Sequence, residues 1–142
     1  MIRVREQPLT ADEFIELYRA VGWSAPAREQ VALALTNSYH TVCVTDGDTP
    51  VGMGRVIGDG ALAFFIQDVA IVPGYQRRGL GGLVLTSLHG YVRNSVCKGQ
   101  SVCVELIASA GREPFYEKFG FGKKPGDGMG HGMMTLIVGE GG

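Results

Sequence analysis

Cysteine is scarce in this 142-residue chain: Cys43, Cys97 and Cys103 form no C-x-x-C pair, and three thiols cannot all pair with one another. So sparse and odd a set reads as reduced, intracellular thiols rather than a disulfide framework. Charge of either sign is not in excess, with 13 Lys and Arg against 14 Asp and Glu and a net charge of -1. That balance argues against a broadly basic nucleic-acid surface, though not against one small cationic pocket. No apolar run approaches the ~18 residues of a membrane span. Met1-Ile2-Arg3-Val4-Arg5-Glu6 carries charge where a signal peptide needs an apolar stretch. A cytoplasmic chain is expected, with neither membrane nor nucleic acid as partner.

What is plentiful is glycine, 22 residues of 142, about twice average usage. Turns or close backbone approach must account for it. Hydrophobic residues at 45% and charged residues at 19% fit a folded globular chain. Its length is that of one domain, 1–142, large enough to bury roughly 68–70% of its unfolded surface.

Ile2-Arg3-Val4-Arg5 alternates as a half-buried strand does. Thr10-Ala11-Asp12-Glu13 is a capping box, with Leu9 and Phe14 placed for a hydrophobic staple and Gly22 as the stop. Pro26 opens a second helical pattern through Val31, Leu33, Ala34 and Leu35. Strands are expected at Thr41 to Thr45, Val51 to Ile57 and Ala61 to Val72, joined by the turns Asp46-Gly47-Asp48 and Gly58-Asp59-Gly60. A long amphipathic helix follows from about Gly79 to Val96. Val102 to Ile107 predicts a strand, Glu113 to Phe119 a short helix, and Met133 to Val138 a last strand. Gly122 to Gly132 reads as a loop and Gly139 to Gly142 as a frayed tail. Hairpins first and a crossover helix later give an α+β class: a mixed, mostly antiparallel central sheet flanked by helices on both faces.

The informative segment is Asp68-Val69-Ala70-Ile71-Val72-Pro73-Gly74-Tyr75-Gln76-Arg77-Arg78-Gly79-Leu80-Gly81-Gly82: a strand, a tight turn, two arginines, then glycines opening a helix. A helix N-terminus offers unpaired amides and the positive dipole end, so it accepts anions. Glycines let a bulky anion reach the backbone, and a diphosphate is the natural guest. No Gly-Lys-Ser/Thr follows as in a Walker loop, and no G-x-G-x-x-G as in a Rossmann turn.

Gln76-Arg77-Arg78-Gly79-Leu80-Gly81 resembles the Q/R-x-x-G-x-G/A motif of the Gcn5-related N-acetyltransferase (GNAT) family. Asp68 to Pro73 is similar to that family's splayed central strand, and Pro114-Phe115-Tyr116-Glu117-Lys118-Phe119-Gly120-Phe121 to its F-Y-x-x-x-G-F segment. The resemblance implies a GNAT-like fold and acetyl-coenzyme A as donor, with no metal. It implies main-chain pairing of Val69, Ala70 and Ile71 with the pantetheine arm. Gln76 belongs to the same cofactor motif, and the amides of Arg77, Arg78, Gly79, Leu80, Gly81 and Gly82 would hold the diphosphate. Tyr116 would sit by the sulfur and protonate the departing thiolate. The chemistry is sound, since a phenol near ~10 can supply a proton to a thiolate whose acid is near ~8.5. The plainer reading of Tyr116 is a core aromatic beside Phe115 and Phe119. Family members often carry an Asn shortly before this helix; Ala108-Ser109-Ala110-Gly111 has none, so that contact is absent or made by Ser109.

The acceptor amine must lose a proton. Glu105 resembles the acidic residue some members use, against an exposed strand glutamate; Asp68 is a second candidate, against a carboxylate bracing the turn. His131 reads as a solvated loop residue. Trp23, Asn37, Ser38, Tyr39 and His40 are candidates to line an acceptor pocket, with Trp23 equally a core residue. Arg55 meets an anionic acceptor or faces solvent. The expected activity is acetyl transfer to a primary amine, of a small molecule, by direct attack in a ternary complex. A protein N-terminus or lysine is the alternative acceptor, and a coenzyme A-binding regulatory module the non-enzyme alternative. Family members are often homodimers.

Overall fold

The computed structural model describes residues 1–139, in two units, Met1–Ile107 and Ala108 onward. The first unit runs β1 (Ile2–Arg5), α1 (Ala11–Ala20), α2 (Arg28–Asn37), β2 (His40–Asp46), β3 (Thr49–Gly58), β4 (Ala63–Ile71), a 3-10 turn (Pro73–Tyr75), α3 (Leu80–Ser95) and β5 (Cys103–Leu106). The sheet order is β1-β2-β3-β4-β5, antiparallel except for the parallel β4–β5 pair that α3 bridges. This is the expected mixed, mostly antiparallel sheet. Element ends differ from the sequence reading by one or two residues.

Local chemistry explains the first helix. Glu13 N–H donates to Thr10 Oγ1 at 3.2 Å while Thr10 N–H donates to Glu13 Oε1 at 2.9 Å, closing the capping box. Leu9 and Phe14 are both buried, as the staple requires. At the far end Gly22 N–H donates to the Arg19 carbonyl and Trp23 N–H to that of Tyr18, with Gly22 at φ +87°. Arg5 then ties β1 to α1 through a two-pronged pair with Glu13, at 2.6 and 2.7 Å.

The two sheet faces are covered separately. Met53 joins Cys43, Ala70, Phe14, Leu17 and Val31 in the core beneath α1 and α2. The next residue, Gly54, faces α3: a Cβ there would stand 2.5 Å from Val84 Cγ1, so the helix approaches where only glycine allows it. Val84, Leu85 and Leu88 on α3 are fully buried. Alternation along β3 thus serves both layers.

The second unit contains α4 (Glu113–Glu117). The expected strand Met133 to Val138 is not formed: these residues carry no regular secondary structure, and Met133, Met134, Leu136, Ile137 and Val138 are all exposed. Its apolar residues do not alternate with polar ones, so it needs cover on both faces to be a strand, and it lacks that here. Gly122 to Gly132 forms no helix or strand, as expected of a loop. Of the expected tail, residues 140–142 lie outside the described residues.

Candidate cofactor site

Two features of β4 shape the site. The first is a bulge. Met53 pairs with Ala70 and Arg55 with Gln67, so Gly54 alone stands opposite both Asp68 and Val69. Asp68 takes a left-handed conformation, φ +58°, uncommon outside glycine. Its carboxylate is held: Arg55 Nε donates to Asp68 Oδ2 at 2.6 Å, and the same guanidinium reaches Ser38 Oγ at 3.2 Å and Gln67 Oε1 at 3.3 Å. Arg55 therefore neither faces solvent nor stands ready for an anion; it grips the bulge, because a half-buried cation beside a carboxylate gains most by pairing.

The second feature is a parting of strands. β5 pairs with β4 from Ala63↔Cys103 to Ile66↔Leu106, whereas β4 runs on to Ile71. Among the described residues no strand covers Gln67 to Ile71 on that side, an edge of about 16 Å at ~3.3 Å per residue. Val69, Ala70 and Ile71 lie along it. Such an edge can take one more extended chain through main-chain hydrogen bonds.

The edge leads into the turn before α3. Gln76 Nε2 donates to the Ile71 carbonyl at 3.0 Å, pinning the turn to the strand end. Arg77 and Gly79 both have positive φ, +62° and +82°, with Arg78 between them. No side chain caps α3. The first-turn amides of Leu80, Gly81 and Gly82 therefore have no helical acceptor, and they form the positive end of a 16-residue helix. Nothing lies within 4 Å of a Cβ built on Gly79, so its left-handed backbone, not crowding, demands glycine. Strand edge and cradle thus meet at Ile71. The residues present fit an extended amide-bearing arm that ends in a diphosphate.

Glu105 lies on β5 opposite Phe65, exposed, one position before the last β4–β5 pair. An arm whose diphosphate end sits at α3 and which runs back along the edge finishes where these strands part. In the second unit, Tyr116 packs edge-on against Phe115 and Phe121, with ring centroids 5.0 and 6.0 Å apart. Burial pushes its phenol above the ordinary value, against a smaller opposing effect of Arg112. His131 is exposed. Among the described residues no three His, Cys, Asp or Glu side chains group as metal ligands would.

The suggested acceptor cluster is not one site. Trp23 packs edge-on to Tyr18 against the α1 core, whereas His40 stacks on Tyr91 of α3 at 3.8 Å and Tyr39 packs against Tyr91 and Phe64. Nearness in sequence misled, because the chain passes from one sheet face to the other between them.

Residues 37–123, more than half of the chain, match the family described as the acetyltransferase (GNAT) domain. An uncharacterized ycf52-like N-acetyltransferase of Prochlorococcus marinus is 35% identical over 117 residues, 80% of this chain and 63% of that protein. The chain belongs to the GNAT family. Its domain is that of an acetyl-coenzyme A-dependent N-acetyltransferase. The crystal structure of a probable acetyltransferase from methicillin-resistant Staphylococcus aureus resembles this GNAT chain at 34% identity. Its TM-score is 0.83, covering 95% of this chain and 100% of that one. A soybean (Glycine max) protein named histone acetyltransferase TAP1 is 32% identical over 109 residues, 66% of this chain and 47% of that protein. The chain thus spans about half to two thirds of the length of these two curated relatives. Among the described residues no helix is long and apolar enough to cross a membrane.

Proposed function

We propose that this GNAT protein transfers an acetyl group from acetyl-coenzyme A to the primary amine of a small molecule, by direct attack in a ternary complex. The observation that carries the donor is the uncovered edge of β4 ending at an uncapped, glycine-lined helix N-terminus. Val69, Ala70 and Ile71 would hold the arm by main-chain pairing. Arg77, Arg78, Gly79, Leu80, Gly81 and Gly82 would hold the diphosphate, while Gln76 keeps the turn fixed to Ile71.

The neutral amine attacks the thioester carbonyl carbon; a C–N bond forms and the C–S bond breaks. The family resemblance assigns to Tyr116, whose phenol is raised by burial, the gift of a proton to the leaving sulfur. Proton removal from the amine is assigned to Glu105 through water, because Glu105 stands on β5 next to the point where that strand parts from β4. The small acceptor is favoured by a net charge of -1, which leaves little to attract a polycationic tail. The name of the soybean relative favours the second reading, a protein amine. The three free thiols suit a reducing compartment, and cytoplasm remains the one we assign. A homodimer, which the family implies, is checked by sedimentation.

The test measures thiol release from acetyl-coenzyme A with free polyamines, amino sugars and amino acids, beside histone-derived and N-terminal peptides. Turnover on free amines alone supports the proposal; turnover on peptides alone overturns the choice of acceptor. Gly81→Glu, which puts a carboxylate in the cradle, should abolish coenzyme A binding in a folded protein. Retained binding would remove the cradle assignment.

A further inference from the structure

Asp46, at the end of β2, lies 29 residues before Tyr75 in the chain, yet the Tyr75 hydroxyl donates to Asp46 Oδ2 at 2.8 Å. The other carboxylate oxygen accepts from the Met1 ammonium at 2.9 Å. The Tyr75 ring carries the Arg78 guanidinium above it, 4.8 Å from the ring centroid. Arg78 is the residue directly before the glycine that starts α3. The chain of contacts therefore runs from the β2–β3 hairpin, through a ring tethered at its hydroxyl, to a cation beside the start of α3. A free arginine samples many rotamers, and a cation seated on an aromatic face has fewer to lose when it meets an anion.

We propose that Asp46 and Tyr75 are positioning residues for the donor's diphosphate: Asp46 fixes the ring by its hydroxyl, and the ring seats the Arg78 guanidinium beside the first turn of α3. The charges of this group act on one another. The Met1 ammonium, then the Tyr75 hydroxyl and more weakly Arg78 hold the Asp46 carboxyl below its ordinary range. Hydrogen bonding to Asp46 is the largest cause raising the Tyr75 phenol, against a smaller opposing effect of Arg78. The inference rests on the donor reading above and adds to it two residues that act through Arg78.

The experiment is calorimetric titration of coenzyme A into wild type, Tyr75→Leu, Tyr75→Phe and Asp46→Ala at 50 and 500 mM NaCl, with thermal unfolding of each variant alone. Tyr75→Leu should weaken binding about two- to fivefold at low salt, as loss of an exposed cation–aromatic contact does, and Asp46→Ala, which keeps the ring and loses only its tether, by less. The loss should shrink at high salt, where a displaced charge is screened. Tyr75→Phe, which keeps the ring and loses only its tether, should fall between wild type and Tyr75→Leu, and it keeps the test alive if a harsher variant unfolds. Equal losses at both salts would show a merely structural role, and unchanged affinity would show none; either overturns the proposal. Wild type that binds no coenzyme A overturns the donor reading itself, and this inference with it.

Discussion

A phenol removed from water holds its proton more firmly, and Tyr116 is such a phenol, packed between Phe115 and Phe121. Tyr116→Phe keeps the ring and removes the proton, so it should lower kcat by about 10²-fold while leaving affinity for acetyl-coenzyme A within about twofold. Steady-state kinetics paired with titration decide this; unchanged turnover would show that the thiolate takes its proton elsewhere. A different single residue reports on stability. The hydrogen bonds from Arg5 hold the Glu13 carboxyl at about 2, against 4.5 for the unperturbed group. The folded value lies below the unfolded one, so the stabilisation is full above about 4.5 and is lost as pH falls toward 2. Wild type should therefore melt above Glu13→Gln at pH 7, and the gap should narrow steadily as pH falls from 4.5 toward 2. A gap undiminished at pH 2.5 would mean that packing, not charge, distinguishes the two.

Elements built from neighbouring residues were legible in the sequence, and those built across strands were not. α1 could be read because Thr10, Glu13, Leu9 and Phe14 lie within one turn of each other and close a box no distant residue alters. The start of α3 could be read because Gly79, Gly81 and Gly82 cluster where the helix opens. The bulge in β4 could not, since the left-handed turn at Asp68 is secured by Arg55 from the neighbouring strand, and strand periodicity carries no sign of that partner. The run Met133 to Val138 failed for the converse reason: strand-like residues make a strand only with something to pair against. The Arg55–Asp68 pair is testable as a unit. Arg55→Ala leaves a half-buried carboxylate without its cation and should cost about 1–3 kcal/mol of stability. It should also weaken coenzyme A binding by loosening the edge at Val69. Adding Asp68→Ala should restore much of the melting temperature, because the unpaired charge is gone, but not the affinity, because nothing then grips the bulge. Recovery of both together would show that the pair serves stability alone.

At the scale of the whole molecule, order along the chain and order across the sheet coincide, β1 through β5, with α3 carried between the one parallel pair among the described residues. That placement brings the end of β4 and the start of α3 together with one short turn between them, so strand edge and helix dipole follow in the succession that the proposed donor site requires. Near-neutral overall charge supplies no general attraction for an anionic donor, so the proposed site relies on the local features of this turn. The consequence is selectivity among nucleotides. ATP and NAD offer phosphates to the helix but no amide-bearing arm to the β4 edge, whereas coenzyme A and its acetyl ester offer both. A ligand at 100 times its dissociation constant that binds only the native state adds about 2.7 kcal/mol, which for a domain of this size raises Tm by about 5–15 °C. Thermal unfolding with each of the four ligands in parallel should shift strongly with acetyl-coenzyme A and coenzyme A and little with ATP or NAD. Equal shifts with all four would mean that the helix end alone binds and the strand edge contributes nothing. No shift with either coenzyme A ligand at saturation would reduce the glycine turn to a helix start.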